Sequence, residues 1–267
     1  KDYQGEYLTW GIAESVLLTG KAVIYTTGGE LTSVIALDKN NGELLWKTKS
    51  LGGPMAYASS ILINKGQLKI ILAQTANDLI AINADSGDVL WNYNLERFHP
   101  GSFGKGTNTN LPLYRDNEIF VTSGYNHYAV MLSMADDCKS VSLKWKNDTL
   151  DTHHGGVVLV DGNIYGSNWL NNSRGNWVSL DWDTGRVNWE TKWFNKGSII
   201  SADGLLYCYE EKTGNLALVE PTPEEFRVIS SFKINEGKGP HWAHPAIYDG
   251  KLFIRHGEVV MVFNVKA

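Results

Sequence analysis

The chain has 267 residues, with 24 Lys and Arg against 29 Asp and Glu for a formal charge of −5, and 43% of it is apolar. A chain this long buries roughly 70–75% of the surface its unfolded form exposes, so a core forms without disulfide or metal staples. Mild acidity without a Lys/Arg cluster excludes duplex nucleic acid and anionic membrane as main partners, since both are held by stripes of positive charge. No stretch reaches the ~20 apolar residues of a transmembrane segment. Lys1 stands where a methionine would begin a nascent chain, which points to a processed or trimmed start. Cys138 and Cys208 are far apart and form no C-x-x-C, so both read as buried small hydrophobes rather than a zinc site or redox pair.

Six units follow in chain order, at 10–50, 55–95, 108–148, 153–193, 196–235 and 241–267. Each opens with two apolar β-rich runs around a turn, beginning with Val16-Leu17-Leu18, Gly20 and Val23-Ile24-Tyr25. The same beat returns at Gly66, Asn117, Gly162, Gly204 and Gly250. A second phrase, apolar, Asp or Asn, three residues, Gly, three residues, Trp, closes the first unit as Leu37-Asp38, Gly42 and Trp46. It closes the second as Ile82-Asn83, Gly87 and Trp91, and the fourth as Leu180-Asp181, Gly185 and Trp189. Stretched versions run from Leu132-Ser133 to Trp145 in the third unit and from Val219-Glu220 to Phe232 in the fifth. The sixth ends at Met261-Val262-Phe263-Asn264, short of an outer strand.

The two beats give four short strands per unit and no long amphipathic helix, so the chain is all β, and repeated four-stranded antiparallel units are the blades of a β-propeller. Asp38, Asn83 and Asp181 accept backbone N–H groups in the turn, and the glycines supply the positive φ that closes it. The indoles of Trp46, Trp91 and Trp189 are expected to wedge between one blade and the next. A Ca²⁺ reading of the acidic turns fails, because Lys192 and Lys49 stand at the twelfth positions where a bidentate Glu is needed. Lys212-Thr213-Gly214 and Ser230-Ser231-Phe232-Lys233 resemble penicillin-binding motifs in reversed order and without S-D-N, a coincidence within β repeats. Gly101 to Gly106 lacks the strand and helix of a dinucleotide fingerprint and reads as an inter-blade loop.

At the Asp–Gly–Trp phrase the sequence resembles the pyrroloquinoline-quinone-type propeller repeat. The order Trp10-Gly11 to Glu14-Ser15, His153-His154-Gly155-Gly156, and Trp242 to His244-Pro245 is similar to a bacterial branch related to the propeller lipoprotein of the outer-membrane β-barrel assembly machinery. The resemblance covers nearly the whole chain and implies eight blades. Six are present, so either Glu6-Tyr7-Leu8-Thr9 supplies the missing outer strand, or two upstream blades have been cut away, the reading favoured here. It further implies a periplasmic or outer-membrane-associated protein with a lipid anchor on a removed N-terminal region. Quinone-dependent dehydrogenases of the superfamily use a calcium held by carboxylates and amides and typically an adjacent cysteine pair. No Cys-Cys occurs here, so no cofactor is expected, with quinone and divalent metal kept as alternatives.

Four of the seven histidines, His153, His154, His241 and His244, precede innermost strands, and equivalent entries hold Trp10 and Glu14, and Asn108 and Asn110. In a closed ring these groups line a funnel suited to a polar ligand or a metal. The bland alternative is that the imidazoles satisfy neighbouring carbonyls. Trp169 and Trp177 flank the tip Asn171-Asn172-Ser173-Arg174-Gly175, with Trp182 and Trp193 near the next turn; they are a candidate exposed face for protein docking or sugar stacking, some being inter-blade wedges instead. Asn147-Asp148-Thr149 and Asn171-Asn172-Ser173 have the form of sequons. The function expected is a non-catalytic scaffold engaging a protein or peptide partner; the alternative is a ligand- or metal-binding protein or enzyme using the funnel.

Overall fold

A computed structural model describes residues 3–265. Lys1, on which the expectation of a trimmed start rests, and the last two residues of the sixth unit lie outside the described residues. The secondary structure is all β apart from one turn of 3-10 helix at Glu96–Phe98, and it is organised as propeller blades. The first sheet is β1 (Leu17–Leu18), β2 (Ala22–Thr26), β3 (Val34–Asp38) and β4 (Leu44–Lys47). The second is β5 (Ile61–Lys65), β6 (Leu68–Gln74), β7 (Asp78–Asn83) and β8 (Val89–Asn94). The third is β9 (Leu113–Arg115), β10 (Glu118–Val121), β11 (Ala129–Met134) and β12 (Val141–Asn147). The fourth is β13 (Val157–Val160), β14 (Asn163–Ser167), β15 (Trp177–Asp181) and β16 (Val187–Thr191), and the fifth β17 (Gly197–Ala202), β18 (Leu205–Glu210), β19 (Asn215–Glu220) and β20 (Arg227–Lys233). The sixth has three described strands, β21 (Ala246–Tyr248), β22 (Lys251–His256) and β23 (Val259–Asn264). Every neighbour pairing is antiparallel and follows chain order. Glu6–Thr9 form no strand; Glu6 instead donates its N–H to Thr27 O and accepts from Met55 N.

The chain divides into two compact units. One runs up to Ser123 and includes Val130–Lys144; the other comprises Gly124–Ala129 and the chain from Trp145 onward. Within the first unit, period-2 alternation sends Ala22, Ile24, Val34 and Ala36 against Ile71, Ala73, Ile80 and Ile82 of the next sheet. In the second, Tyr165 and Trp177 pack against Ile199, Leu206, Cys208, Ala217 and Val219, and Tyr209 and Leu216 against Leu252 and Ile254. Cys138 and Cys208 are buried and unbridged.

The turn phrase works as the residue chemistry requires. Asp38 Oδ1 accepts Asn40 N, Asn83 Oδ1 accepts Asp85 N, and Asp181 Oδ1 accepts Thr184 N and its hydroxyl. Gly42, Gly87 and Gly185 sit at φ 76, 79 and 69. A bulge precedes each turn, between Ala36 and Leu37, Ala81 and Ile82, and Ser179 and Leu180. The indole of each outer strand then reaches the turn of the following sheet. Trp46 Nε1 donates to Ala84 O at 3.0 Å, Trp145 Nε1 to Trp182 O at 3.1 Å and Trp189 Nε1 to Thr222 O at 2.8 Å. Trp91 is buried, yet its Nε1 has no acceptor among the described residues. The turn it faces, in the third sheet, differs from the glycine turns: Cys138 takes the positive φ, and the turn bonds start at Ala135 instead of an acid.

The expected docking face of tryptophans requires correction. Trp169, Trp177 and Trp182 are buried, because Trp177 lies on the β15 face that packs against the fifth sheet and Trp182 sits in the turn that receives Trp145. The exposed tryptophans are Trp10 and Trp242, at 68% and 58%.

The same glycine serves conformation and space in two turns and conformation alone in a third. A β-carbon at Gly185 would lie 2.5 Å from the Trp145 ring and one at Gly87 2.7 Å from Trp46, whereas one at Gly42 meets nothing within 4 Å. Gly42→Ala is therefore expected to cost about 1 kcal/mol, the left-handed penalty alone, and Gly185→Ala a further 1–3 kcal/mol, roughly the range for overpacking. Denaturant midpoints of the two variants check this; equal losses would contradict it.

Candidate functional site

In the first unit, Trp10 donates its backbone N–H to the Tyr57 hydroxyl, and the two rings lie 6.0 Å apart. Glu14 reaches across two sheets: Oε2 accepts Thr26 N at 3.0 Å, and Oε1 accepts the hydroxyls of Thr26 at 3.0 Å and Ser60 at 3.4 Å. Burial outweighs these bonds and pushes its carboxyl up to about 7. Asn108 and Asn110 are buried. Asn108 Nδ2 donates to Thr75 O and Ala76 O, and Asn110 Nδ2 to Thr122 O, so both amides tie inter-sheet links to strand ends.

The second unit gathers its histidines in two groups. His153 and His154 occupy the loop before β13, with ring centroids 4.7 Å apart, and His153 packs on Tyr125 at 4.6 Å. Lying in a loop frees them from the strand alternation that would send them to opposite faces. His154 Nε2 lies 3.4 Å from Glu211 Oε2, and Lys196 Nζ lies 2.5 Å from Glu211 Oε1. Trp242 meets the His154 ring edge-on at 5.5 Å, and His244 Nε2 donates to His154 O at 2.7 Å. The second group is buried: His241 Nδ1 bonds the Tyr209 hydroxyl, and its ring stacks on His256 at 3.7 Å. His256 in turn places its ring nitrogens on Glu236 O and Gly239 O, each at 2.7 Å.

The electrostatics follow from burial. Desolvation, then the neighbouring charges of His154 and Lys196, push the His153 imidazole down to about 3. Desolvation, then Lys196 and His244, push His154 down to about 4. Glu211 is raised by burial and held back by Lys196. At neutral pH this is one ion pair, Lys196–Glu211, with a neutral His154 against it. Lys196 is anchored further by donating to Asn171 O and Asn172 O at 3.2 and 3.1 Å. Asp151, which accepts Asn126 N and Trp169 N, is pushed up to about 7 by burial. The arrangement is a rigid polar floor beneath an exposed indole.

Sequence reasoning singled out His153, His154, His241 and His244 but missed Lys196, Glu211, Asp151 and His256. The available signals were Lys196 at the entry to β17, the same position in its unit as His153 and His154 in theirs, and the pair Glu210-Glu211 ending an apolar strand. Of the sequons, Asn147 is committed to the fold: its Nδ2 donates to Gly185 O, and its Oδ1 accepts Thr149 N and Leu150 N.

A family model described as outer membrane protein assembly factor BamB matches residues 8–191. No curated protein sequence matches the chain significantly. Among solved structures, BamB from Moraxella catarrhalis superposes with a TM-score of 0.69 at 15% identity, over 92% of this chain and 70% of that one. Quinohemoprotein alcohol dehydrogenase from Comamonas testosteroni gives a TM-score of 0.61 at 14% identity, over 94% of this chain and 52% of the dehydrogenase. These likenesses show the fold. No group of three His, Cys, Asp or Glu among the described residues is placed to hold a metal ion, and His244 and His256 spend ring nitrogens on carbonyl oxygens.

Two outcomes follow. Lys196→Met leaves the Glu211 carboxylate buried without its cation and is expected to destabilise by about 3–5 kcal/mol. It also raises the His154 titration midpoint from about 4 toward its ordinary value, since the repelling charge of Lys196 is gone. Imidazole proton shifts read this, and Lys196→Arg should move it far less. Glu14 is held protonated more firmly in the folded chain than in the unfolded, where its value is 4.5. Its contribution is full below pH 4.5 and fades as pH rises through about 7. Glu14→Gln should therefore match wild type at pH 4 and exceed it at pH 8, by on the order of 2 kcal/mol, in denaturant titrations at the two pH values.

Proposed function

We propose, from the premise that the chain belongs to the outer membrane protein assembly factor BamB family, that it is a non-catalytic propeller scaffold of the cell envelope that binds a protein partner. The observation that carries this reading is the loop surface around Trp242: an indole 58% exposed sits on His154, and beneath it His154, Glu211 and Lys196 are fixed by one another. An exposed aromatic over a rigid polar floor suits an interface anchor, because little side-chain freedom is lost on binding. Trp10 on Tyr57 offers a second such aromatic in the first unit. In this reading His153, His154, His241 and His244 position loops, while Glu14, Asn108 and Asn110 fasten inter-sheet links. No cofactor is required, and the protein works on the periplasmic side, associated with the outer membrane.

The test is site-specific photocrosslinking in the source cells. A photoreactive residue in place of Trp242 should give one discrete adduct with a protein of the outer-membrane assembly apparatus, recovered in the membrane fraction. Trp242→Ala should weaken the purified pair by about 2 kcal/mol or more, the range of an aromatic anchor. Absence of any adduct, or fractionation of the protein with the cytoplasm, would contradict the reading.

A further inference from the structure

His241 and His256 are both buried, and their rings stack at 3.7 Å with 22° between the planes. Two glycines make room for the stack: a β-carbon at Gly214 would lie 2.4 Å from the His241 ring, and one at Gly237 would lie 2.8 Å from His256 Nδ1. His256 ends β22 and turns both ring nitrogens onto the link between the fifth and sixth sheets. Nδ1 lies 2.7 Å from Glu236 O and Nε2 2.7 Å from Gly239 O. A carbonyl oxygen only accepts, so each bond needs an N–H, and a neutral imidazole carries only one. The pair of bonds therefore belongs to the imidazolium form.

The surroundings leave that charge on one ring of the two. Burial, then the charge of Glu210, pushes the Tyr209 phenol above its ordinary value, so its hydroxyl is the donor to His241 Nδ1. Burial, then the charge of His256, pushes the His241 imidazole down; Glu210 opposes this and Lys233 adds to it. The Glu210 carboxylate is buried and fixed by Lys212 N, Thr213 N and the Thr213 hydroxyl, so a fixed negative charge favours a cation in the stack. Glu211 offers its carbonyl to His241 N, while its carboxylate pairs with Lys196. Glu236, Lys238, Arg255 and Glu258, on the link and around the end of β22, are exposed to solvent, which screens them. His241 is thus held by the Glu211 carbonyl, the Tyr209 hydroxyl and the His256 ring, and the next residue is Trp242, 58% exposed.

We infer that His256 is a pH-sensitive latch: as an imidazolium it holds the Glu236–Gly239 link by both ring nitrogens and, through His241, keeps Trp242 set for a partner. The inference rests on the scaffold reading and adds its regulation. Loss of one proton removes one N–H and with it one carbonyl bond, so the latch is closed on the acid side and loosens as pH rises. The first measurement is on the wild-type chain with nitrogen-15 histidine, titrated from about pH 5 to about pH 9, a range that brackets histidine titration in proteins. Both His256 nitrogens should be protonated at the acid end and one at the alkaline end, with hydrogen-exchange protection of the link falling about tenfold over the same step. His256→Gln keeps one donor and cannot titrate, so its link should show the lower protection at both ends. A ring with one protonated nitrogen throughout, a ring with two throughout, protection that ignores the step, or a step retained in His256→Gln would each overturn the latch. The photocrosslinked partner separates the two claims. Wild type should bind it about tenfold tighter than His256→Gln at the acid end and equally at the alkaline end. A ratio that does not change removes the latch and leaves the scaffold standing, whereas no partner at either pH ends the scaffold reading and leaves the ring titration to decide the latch.

Discussion

The structure depends on an indole of one sheet seated on a glycine of the next. Trp46 lies over the turn that holds Gly87, and Trp145 over the turn that holds Gly185, each with its N–H on a carbonyl of that turn. A side chain at either glycine would occupy the space of the ring, and the left-handed backbone at the same residue closes the turn. One position therefore satisfies a local and a long-range requirement together, which explains why the acid, glycine and tryptophan recur at fixed spacing. Stretching alone does not remove the acceptor: Trp189 finds Thr222 O in the stretched turn of the fifth sheet, whereas Trp91, arriving at the third, has none among the described residues.

Stacking of this kind leaves the links between sheets as the places where polar chemistry collects. These links carry backbone groups without strand partners, and buried side chains such as Asn108, Asp151 and Asn195 satisfy them. In the second unit the same bonding is carried further into the Lys196–Glu211 pair with His154 beside it. Desolvation keeps that imidazole neutral, so the network holds a single buried ion pair instead of competing charges. Trp242 is presented from this network through its edge-on contact with His154. Rigidity gained from the fold is thereby passed to loops that would otherwise be mobile.

The sequence made the repeating turns legible because their requirements are local: an acceptor two or three residues from its donor, and a glycine where φ is positive. The positions of Trp46, Trp145 and Trp189 were legible for the same reason. Burial of Trp169, Trp177 and Trp182 was not, since it depends on which face of a strand meets a neighbouring sheet and not on spacing along the chain. Histidines stood out by residue type, whereas their partners Glu211 and Lys196 come from other sheets and look like ordinary surface charges in the sequence.

The most direct test of the indole-on-glycine seat is a double-mutant cycle on Trp145→Ala and Gly185→Ala, read by equilibrium denaturation. With the indole removed, an alanine at 185 no longer meets a ring, and only its backbone penalty of about 1 kcal/mol should remain. A coupling of at least about 1 kcal/mol between the two substitutions is the result predicted; strictly additive losses would mean that ring and glycine do not share one space, and would contradict the account.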